Sequence, residues 1–453
     1  MKNKTLNESV RRLCLLLLTI SIILSSLTGC GLFSYVAEGR EEIESNIDSA
    51  TEQKSNKYVH QYLRDWGMPI FDSIKIQYFE ERFIHLFNYS EMPDTFSHAK
   101  ETAGLFLEKY YDTIKRNDIS DVTDALLECY VSALGDPYSA YRPPVETEDY
   151  MTDMSGKFGG IGVMVEYNDQ DKSIMVNTVY PGSPAEKAGI EFGDIIYAVD
   201  GKTVTELGYT NAVYYVRGKI GTDVELTLIR DGEKITVTAT RAEVEEINVV
   251  HDIDEELNIG YVQIVAFKGN TFEQFKEAID ELTSAGVEGI IFDMRNNPGG
   301  YLDSVVSVIS YLIPDGNTVI SYQYKNQPMI TLYSRDEGSD HVVELPFVVL
   351  CNQNTASAGE IFTAALRDYD DAQMLEATIV GVTTYKKGIM QNTYYYPFDQ
   401  STVTLTVAYY NPPCGVNYHG IGVIPDITIE IEDDKDTQYE AAVEEMKNLL
   451  KDN

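Results

Sequence analysis

The chain has 453 residues, with 72 acidic and 35 basic side chains and a formal net charge of −37. This excess of negative charge argues against a nucleic-acid ligand and against binding to anionic lipid headgroups through basic side chains. The length indicates roughly two to four domains, and the hydrophobic content of 43% is enough to build buried cores.

The N-terminal segment, residues 1–29, has the parts of a secretion signal. A basic stretch ends at Arg12, an apolar stretch that is short for a membrane-spanning helix follows, and the letters LTGC end at Cys30. This ending resembles a bacterial lipoprotein signal, which implies that Cys30 is lipidated and becomes the new N-terminus. The alternative is an uncleaved signal anchor. We therefore expect a lipoprotein on the extracytoplasmic face of the cell membrane, with residues 30–57 as a polar tether.

Three cysteines, Cys129, Cys351 and Cys414, follow the predicted lipidation site. They are far apart, odd in number and without metal-ligand spacing. We expect buried small hydrophobic residues rather than a disulfide. The sequence indicates no metal and no cofactor.

The middle of the chain changes from a helical pattern to a strand pattern. Apolar residues recur at helical spacing from Tyr58 to about Leu134, as in VTDALLECYVSAL, until GDPYSAYRPP breaks the pattern, and we assign residues 58–143 to this region. Over residues 155–242 short strands such as IGVMVEY and DVELTLIRDG alternate with Gly, Pro and Asp turns. We expect an N-terminal helical region followed by one small β-rich module.

Strands and helices alternate after this module. Buried-strand patterns such as VEGIIFDM and FVVLC alternate with amphipathic helices such as TFEQFKEAIDELTSAG. The alternation predicts an α/β core with a largely parallel sheet, in which chemistry gathers where strands lead into helices. We assign residues 100–154 and 243–432 to this core and residues 433–453 to a terminal helix.

Three stretches at such turns carry candidate chemistry. Ser357 stands among small residues in NQNTASAGE, Lys386 and Lys387 follow an apolar strand, and Gly299–Gly300 offer backbone N–H groups in DMRNNPGG. A lysine acts as a base only when its amine is largely neutral, which requires desolvation to lower its pKa by roughly 3 units. Taken singly, each stretch is also typical of an ordinary turn or helix start.

Other arrangements for activating a serine have less support. The motif GxSxG does not occur. None of the six histidines has a recognisable triad setting, although the sequence leaves a distant histidine partner open. These are His60, His85, His98, His251, His341 and His419.

In their order along the chain, these motifs resemble those of the C-terminal processing peptidases, also called tail-specific proteases. That family has DLRNNPGG, SASASE, VGxxTxGKGxxQ and TPxGxxIxGxGIxPD. This chain has DMRNNPGG, TASAGE, VGVTTYKKGIMQ and NPPCGVNYHGIGVIPD, preceded by LGDPYSAY and SGKFGGIGVMV. The resemblance covers residues 100–432.

The resemblance implies a role for individual residues. Ser357 matches the nucleophile, Lys387 the general base, and Gln391 the glutamine that orients the lysine amine. The backbone N–H groups of Ala358 and Gly300 match the oxyanion hole. The implied fold is a ClpP/crotonase-like α/β protease core with an inserted PDZ domain and an N-terminal helical region.

The β-rich module resembles a PDZ domain. Its carboxylate-binding loop would offer free N–H groups to the C-terminus of a substrate, and the strand from Gly162 to Tyr167 would pair with the peptide. Arg217, at the end of a short helix, is our candidate for relaying binding to the active site; the alternative is a surface arginine. The predicted loop consists of Phe158, Gly159, Gly160 and Ile161.

The chain departs from the family pattern at three places. Thr355 and Gly359 replace the outer serines of SASASE. Lys386 replaces the glycine before the base, so that a second cation lies next to Lys387 and either lowers the pKa of Lys387 or distorts the loop. Ser357 and Lys387 are also a few positions further apart than is usual, which we attribute to a surface loop at DDAQMLE.

We therefore expect a serine endopeptidase with a Ser/Lys dyad that binds protein C-termini and cleaves unfolded or C-terminal segments through an acyl-enzyme. Its partners would be protein or peptide substrates with a free C-terminus and, through the lipid, the membrane. One alternative is a catalytically inactive PDZ-type lipoprotein scaffold, and another is a Ser/His hydrolase. The sequence leaves open whether the chain forms homo-oligomers.

Overall fold

The computed structural model describes residues 75, 78–83, 86–88, 123–132, 134–168, 172–335, 344–432 and 435–452. The predicted signal peptide, tether and Cys30 lie outside these residues, as does most of the predicted N-terminal helical region. Of that region the structure describes a π-helical turn, Phe79–Phe83, and helix α1, Thr123–Ser132.

The segment after α1 leads into the β-rich module. This linking segment contains β1 (Ala140–Arg142), α2 (Pro144–Ser155) and β2 (Lys157–Gly160). The module itself contains β3 (Val163–Asn168), β4 (Ser173–Val179), α3 (Pro184–Lys187), β5 (Ile195–Val199), β6 (Lys202–Thr203), α4 (Val204–Leu207), α5 (Tyr209–Val216), β7 (Asp223–Arg230) and β8 (Glu233–Thr240).

The strands of the module form one antiparallel sheet in the order β3-β4-β5-β7-β8, with β6 beside β5. The module has a hydrophobic core of its own, which includes Ile174, Leu226 and Leu228. The next strand, β9 (Ala242–Glu245), pairs antiparallel with β2. The chain therefore enters and leaves the module through two neighbouring strands.

The core domain alternates strands and helices, as the sequence predicts. Its elements in chain order are β10 (Val249–Asp254), β11 (Ile259–Ile264), α6 (Thr271–Ala285), β12 (Gly289–Asp293), α7 (Leu302–Ser310), β13 (Thr318–Tyr324), β14 (Met329–Tyr333), β15 (Phe347–Cys351), α8 (Ala358–Asp371), β16 (Ala377–Gly381), β17 (Ile389–Tyr395), β18 (Thr402–Asn411), β19 (Ile427–Thr428) and α9 (Thr437–Asp452).

The central sheet has the order β10-β11-β12-β15-β16-β19 and is parallel except for the β10–β11 pair. Every residue of β12 and β15 is buried, as expected for strands covered on both faces. Helices α6, α7 and α8 cover one face, and Met446 of α9 packs against the other. The predicted α/β core with a largely parallel sheet is confirmed.

A second core sheet is absent from our sequence interpretation. It is antiparallel, has the order β1-β18-β13-β14, and carries β17 on β18. Its central strand, β18, is buried at eight of its ten positions. This sheet brings the GDPYS segment, just before β1, to the residues that follow Lys387.

Two local predictions are wrong. Residues Phe158, Gly159 and Gly160, predicted as a free loop, form most of β2 and pair with β9. Cys414 is exposed rather than buried, because it lies in a turn in which Gly415 donates to the carbonyl of Pro412 at 2.9 Å. Cys351 is buried, as predicted.

Candidate active site

Ser357 lies at the turn between β15 and α8, immediately before the first residue of that helix. It is half-buried, while Ala356, Ala358 and Gly359 around it are buried. Its backbone has φ 51° and ψ −115°, a conformation that costs a residue with a side chain of the order of 1–3 kcal/mol. Backbone strain of this kind is typical of functional sites, which favours a functional role for Ser357.

The Gly299–Gly300 turn, which follows β12, lies directly against Ser357. A Cβ atom on Gly299 would come within 2.7 Å of Ser357 Cβ and 2.9 Å of the backbone nitrogen of Ala358. At Gly300, where φ is 144°, a Cβ atom would lie 2.0 Å from the carbonyl oxygen of Phe267. Only glycine fits at these two positions, and the predicted oxyanion donors therefore belong to neighbouring segments.

Asn297 fixes this turn to the serine segment. Its side chain is fully buried; Oδ1 accepts from the N–H of Gly299 at 2.8 Å, and Nδ2 donates to the carbonyl of Ile264 at 2.7 Å. Its own carbonyl accepts from the N–H of Ala356 at 2.8 Å. One asparagine thus connects β11, the glycine turn and the residue before Ser357.

Lys387 follows β16 and is half-buried. Burial lowers the pKa of its amine, while the carboxylates of Asp136 and Glu360 act in the opposite direction. The Nζ atom lies 4.6 Å from the centre of the Tyr138 ring. A lowered pKa favours the neutral amine, which is the form that a general base needs.

Lys386 has a different environment from Lys387. Its side chain is exposed, and its backbone has φ 82°, in the region where the family has glycine. Lys386, where the family has glycine, therefore places a side chain on a left-handed backbone.

Glu360 joins the serine segment to the lysine segment. Its side chain is fully buried in the first turn of α8. Oε2 accepts from the backbone N–H groups of Ser357 at 3.0 Å and Lys387 at 2.8 Å, and Oε1 accepts from the N–H of Lys386 at 2.7 Å and the hydroxyl of Thr384 at 2.5 Å. One carboxylate thus sets the spacing of Ser357 and Lys387, although burial raises its own pKa.

Gln391 takes part in a buried network beside the lysine. Its Nε2 atom donates to Thr406 Oγ1 at 3.0 Å, and that hydroxyl donates to Asp136 Oδ2 at 2.6 Å. Among the described residues, no hydrogen bond joins Gln391 to Lys387. The predicted orientation of the amine by Gln391 stays a prediction.

The β-rich module contains a groove between β3 and α5. Its cavity has a volume of 260 Å³ and is lined by Val163 and Val165 from β3 and by Ala212 and Val216 from α5. Since β3 is an edge strand of its sheet, its outer backbone groups face this groove and offer pairing to an extended peptide.

Most of the predicted peptide-binding residues line this groove. They are Phe158, Gly160, Ile161, Gly162 and Arg217. Gly159 does not line it; a Cβ atom there would lie 2.0 Å from the carbonyl oxygen of Gly218. The Arg217 guanidinium is stacked 4.1 Å from the centre of the Phe158 ring, at the C-terminal end of α5.

Comparison with known proteins identifies the family. The family model described as peptidase family S41 matches residues 258–429, and a PDZ-domain model matches residues 159–240. The carboxy-terminal processing protease CtpA of Bacillus subtilis is 34% identical over 332 residues, which is 72% of this chain and 69% of that protein. The chain belongs to peptidase family S41. The resemblance stated from the motifs is thereby confirmed.

Two further proteins are similar to this chain. A probable CtpA-like serine protease of Staphylococcus haemolyticus is 35% identical over 318 residues, or 70% of this chain, and the match spans 62% of that relative's length. A solved structure, the photosystem II D1 C-terminal processing protease, is 29% identical with a TM-score of 0.40; the match covers 71% of this chain and 86% of that one.

Two of the six histidines lie in the described part of this S41 chain. The imidazole of His251 lies 2.9 Å from Glu281 on α6. His419 packs edge-on against Tyr409, with ring centres 5.7 Å apart. The described residues contain no group of three or more potential metal ligands and no helix long and apolar enough to cross a membrane.

Sequence reasoning about the S41 site missed Glu360, Asn297 and Tyr138. Glu360 left a usable signal, because it is an acidic residue among small and apolar neighbours in AGEIFTAAL, and buried carboxylates are rare unless they have partners. Asn297 lies within a motif that we quoted for its glycines. Tyr138 lies within LGDPYSAY, which we quoted for its resemblance to the family, but only the second sheet brings it to Lys387.

Proposed function

We propose that this S41 protein is a serine endopeptidase of the carboxy-terminal processing type. Ser357 is the nucleophile and Lys387 the general base. The observation that carries this proposal is the buried Glu360 carboxylate, which binds the backbone N–H groups of both residues at 3.0 and 2.8 Å. The glycine turn against Ser357 supplies the third element, a place for the oxyanion.

The reaction begins with proton transfer from Ser357 to the neutral amine of Lys387. As the Oγ–carbon bond forms, the π electrons of the scissile carbonyl move onto its oxygen. The N–H groups of Ala358 and Gly300 stabilise that charge, an interaction whose removal costs about 100- to 1,000-fold in rate in other acyl-transfer enzymes. Lys387 then gives its proton to the leaving amine as the carbon–nitrogen bond breaks, and water hydrolyses the acyl-enzyme.

Substrate selection takes place in the groove of the PDZ domain. A peptide with a free C-terminus adds as a strand beside β3, and its carboxylate meets backbone N–H groups at Ile161 and Gly162. The apolar lining of the groove favours an apolar last residue. Arg217 lies at the C-terminal end of α5, with its guanidinium over the Phe158 ring. In this proposal it transmits the binding of a peptide in the groove to the protease core.

The substrates are unfolded or C-terminal segments of extracytoplasmic proteins, because the lipobox at Cys30 anchors the chain outside the cytoplasm. A single acyl chain gives only marginal membrane binding, so stable anchoring through Cys30 needs more than one acyl chain. Cys30→Ala should release the protein from the membrane fraction. Metabolic labelling with a radioactive fatty acid tests the anchor, and an unlabelled wild-type protein would contradict it.

The decisive experiment for the dyad is covalent labelling with a fluorophosphonate, which reacts with an activated serine. Wild type should be labelled at Ser357; Ser357→Ala and Lys387→Ala should both lose labelling and cleavage of an unfolded protein, because the dyad works as a unit. An unlabelled wild type would favour an inactive scaffold. Activity that survives Lys387→Ala would favour a Ser/His hydrolase.

A further inference from the structure

The aromatic ring of Tyr138 lies over the amine of Lys387, with Nζ 4.6 Å from the ring centre. Tyr138 belongs to the GDPYS turn between α1 and β1, far in sequence from both halves of the dyad. Its position at a reacting atom suggests that the ring takes part in the chemistry.

A buried carboxylate holds the backbone of Tyr138 in place. Asp136 is 3% exposed; its Oδ1 atom accepts from the backbone N–H of Tyr138 at 3.1 Å. Its Oδ2 atom accepts from the hydroxyls of Ser139 and Thr406, both at 2.6 Å. The backbone of Tyr138 is therefore anchored to β18, the strand that also pairs with the residues after Lys387.

We propose that Tyr138 is a catalytic residue whose ring face stabilises the ammonium form of Lys387 between the two proton transfers. The inference rests on the proposed Ser357/Lys387 dyad. In the first transfer the amine lone pair takes the proton of Ser357 Oγ, and the nitrogen becomes positively charged. In the second transfer that proton passes to the leaving nitrogen, and the lysine is neutral again.

A ring suits this task because the base must be neutral at rest and charged only transiently. Desolvation opposes the ammonium, and the charges that favour it are the carboxylates of Asp136 and Glu360. Both carboxylates already accept hydrogen bonds from other donors. The hydroxyl of Tyr410 donates to the backbone carbonyl of Lys387. The negative face of an aromatic ring attracts a cation without accepting its proton.

The test compares Tyr138→Phe, which keeps the ring, with Tyr138→Leu, which removes it. The rate of fluorophosphonate labelling is measured as a function of pH in the full-length protein. Loss of the ring should lower the maximal rate by about 2- to 30-fold and move the acidic limb of the profile about 0.4 to 1.5 units lower, because the ammonium form loses its stabilisation. Tyr138→Phe should stay close to wild type in both.

Three controls keep the outcomes separate. Tyr333→Leu, at an exposed tyrosine on β14, should label like wild type. Lys387→Ala should not label; if it does, the dyad fails, whatever the result at Tyr138. If Tyr138→Leu does not fold, phenylalanines with one, three and five fluorine atoms at position 138 weaken the ring face at nearly constant shape, and the rate should fall with each step.

Two results would overturn the inference while leaving the dyad intact. The first is a Tyr138→Leu protein, or a complete fluorinated series, with the wild-type rate and pH profile. The second is an equal loss in Tyr138→Phe and Tyr138→Leu, which would assign the effect to the hydroxyl group rather than to the ring.

Discussion

Replacing Glu360 with glutamine removes one of the two acceptor oxygens that connect the serine and lysine segments. In the wild type each carboxylate oxygen accepts from two donors: Oε2 from Ser357 and Lys387, and Oε1 from Thr384 and Lys386. Glutamine keeps the shape of the side chain, but its amide nitrogen is a donor. Whichever way the amide is turned, two buried donors lose their acceptor.

The magnitude follows from the number of donors that lose a partner. A buried donor without an acceptor costs about 1–3 kcal/mol, so two cost about 2–6 kcal/mol. Burial raises the pKa of Glu360, and a neutral glutamine avoids the cost of burying a charge. We therefore expect a loss in the lower half of that range, about 2–4 kcal/mol. Displacing catalytic groups by about 1 Å lowers rates about 100-fold, and both dyad residues would move here.

Two measurements check this prediction. Urea unfolding gives the change in the free energy of unfolding, and the rate of fluorophosphonate labelling reports the reactivity of Ser357. Glu277→Gln, at an exposed glutamate of α6, is the matched control and should change neither. A Glu360→Gln protein with wild-type stability and labelling rate would refute the argument that this carboxylate sets the geometry of the dyad.

Three other predictions follow from the site and the groove. Lys386→Gly should raise the free energy of unfolding by about 0.5–1 kcal/mol, because it relieves a left-handed backbone at φ 82°; the urea midpoint measures this, and Lys386→Ala, which keeps the strain, should show no gain. Lys387→Met should abolish activity yet stabilise the fold at neutral pH, because burial lowers the pKa of Lys387 only in the folded state. The gain in the free energy of unfolding should shrink as the pH rises toward the usual lysine pKa of about 10.4. A gain that does not change with pH would contradict this prediction. Amidation of a peptide's C-terminus should weaken its binding to the Ser357→Ala protein about 10- to 100-fold, as measured by calorimetry, and equal affinities would mean that the groove does not bind carboxylates.

The central sheet could be predicted from the sequence because its strands are short uninterrupted apolar runs, such as GIIFD in β12 and FVVLC in β15. Runs of this kind between amphipathic helices are typical of parallel strands that are buried on both faces. The second sheet could not be predicted in the same way. Its strands β1 and β18 are separated by 259 positions, and no local pattern states which strand pairs with which.

The same distinction divides the candidate site. Ser357, Lys387 and the glycine turn could be placed from motifs in register with a known family. Asp136 and Tyr138 reach Lys387 only through the pairing of β1 with β18. The strand conformation of Phe158–Gly160 was missed for a related reason, because its partner β9 lies on the far side of the module. Contacts of this kind are set by tertiary pairing rather than by local propensity.

The pairing of β2 with β9 has a consequence for the evolutionary history of the chain. Gly160 and Ala242 are paired across these strands, and paired Cα atoms lie about 4.5–5.5 Å apart. The ends of the intervening module are therefore as close as two neighbouring strands allow. An ancestral gene could gain, lose or exchange the DNA between the codons for these two residues. The sheets of the protease core would still form, because the core strands lie outside this segment.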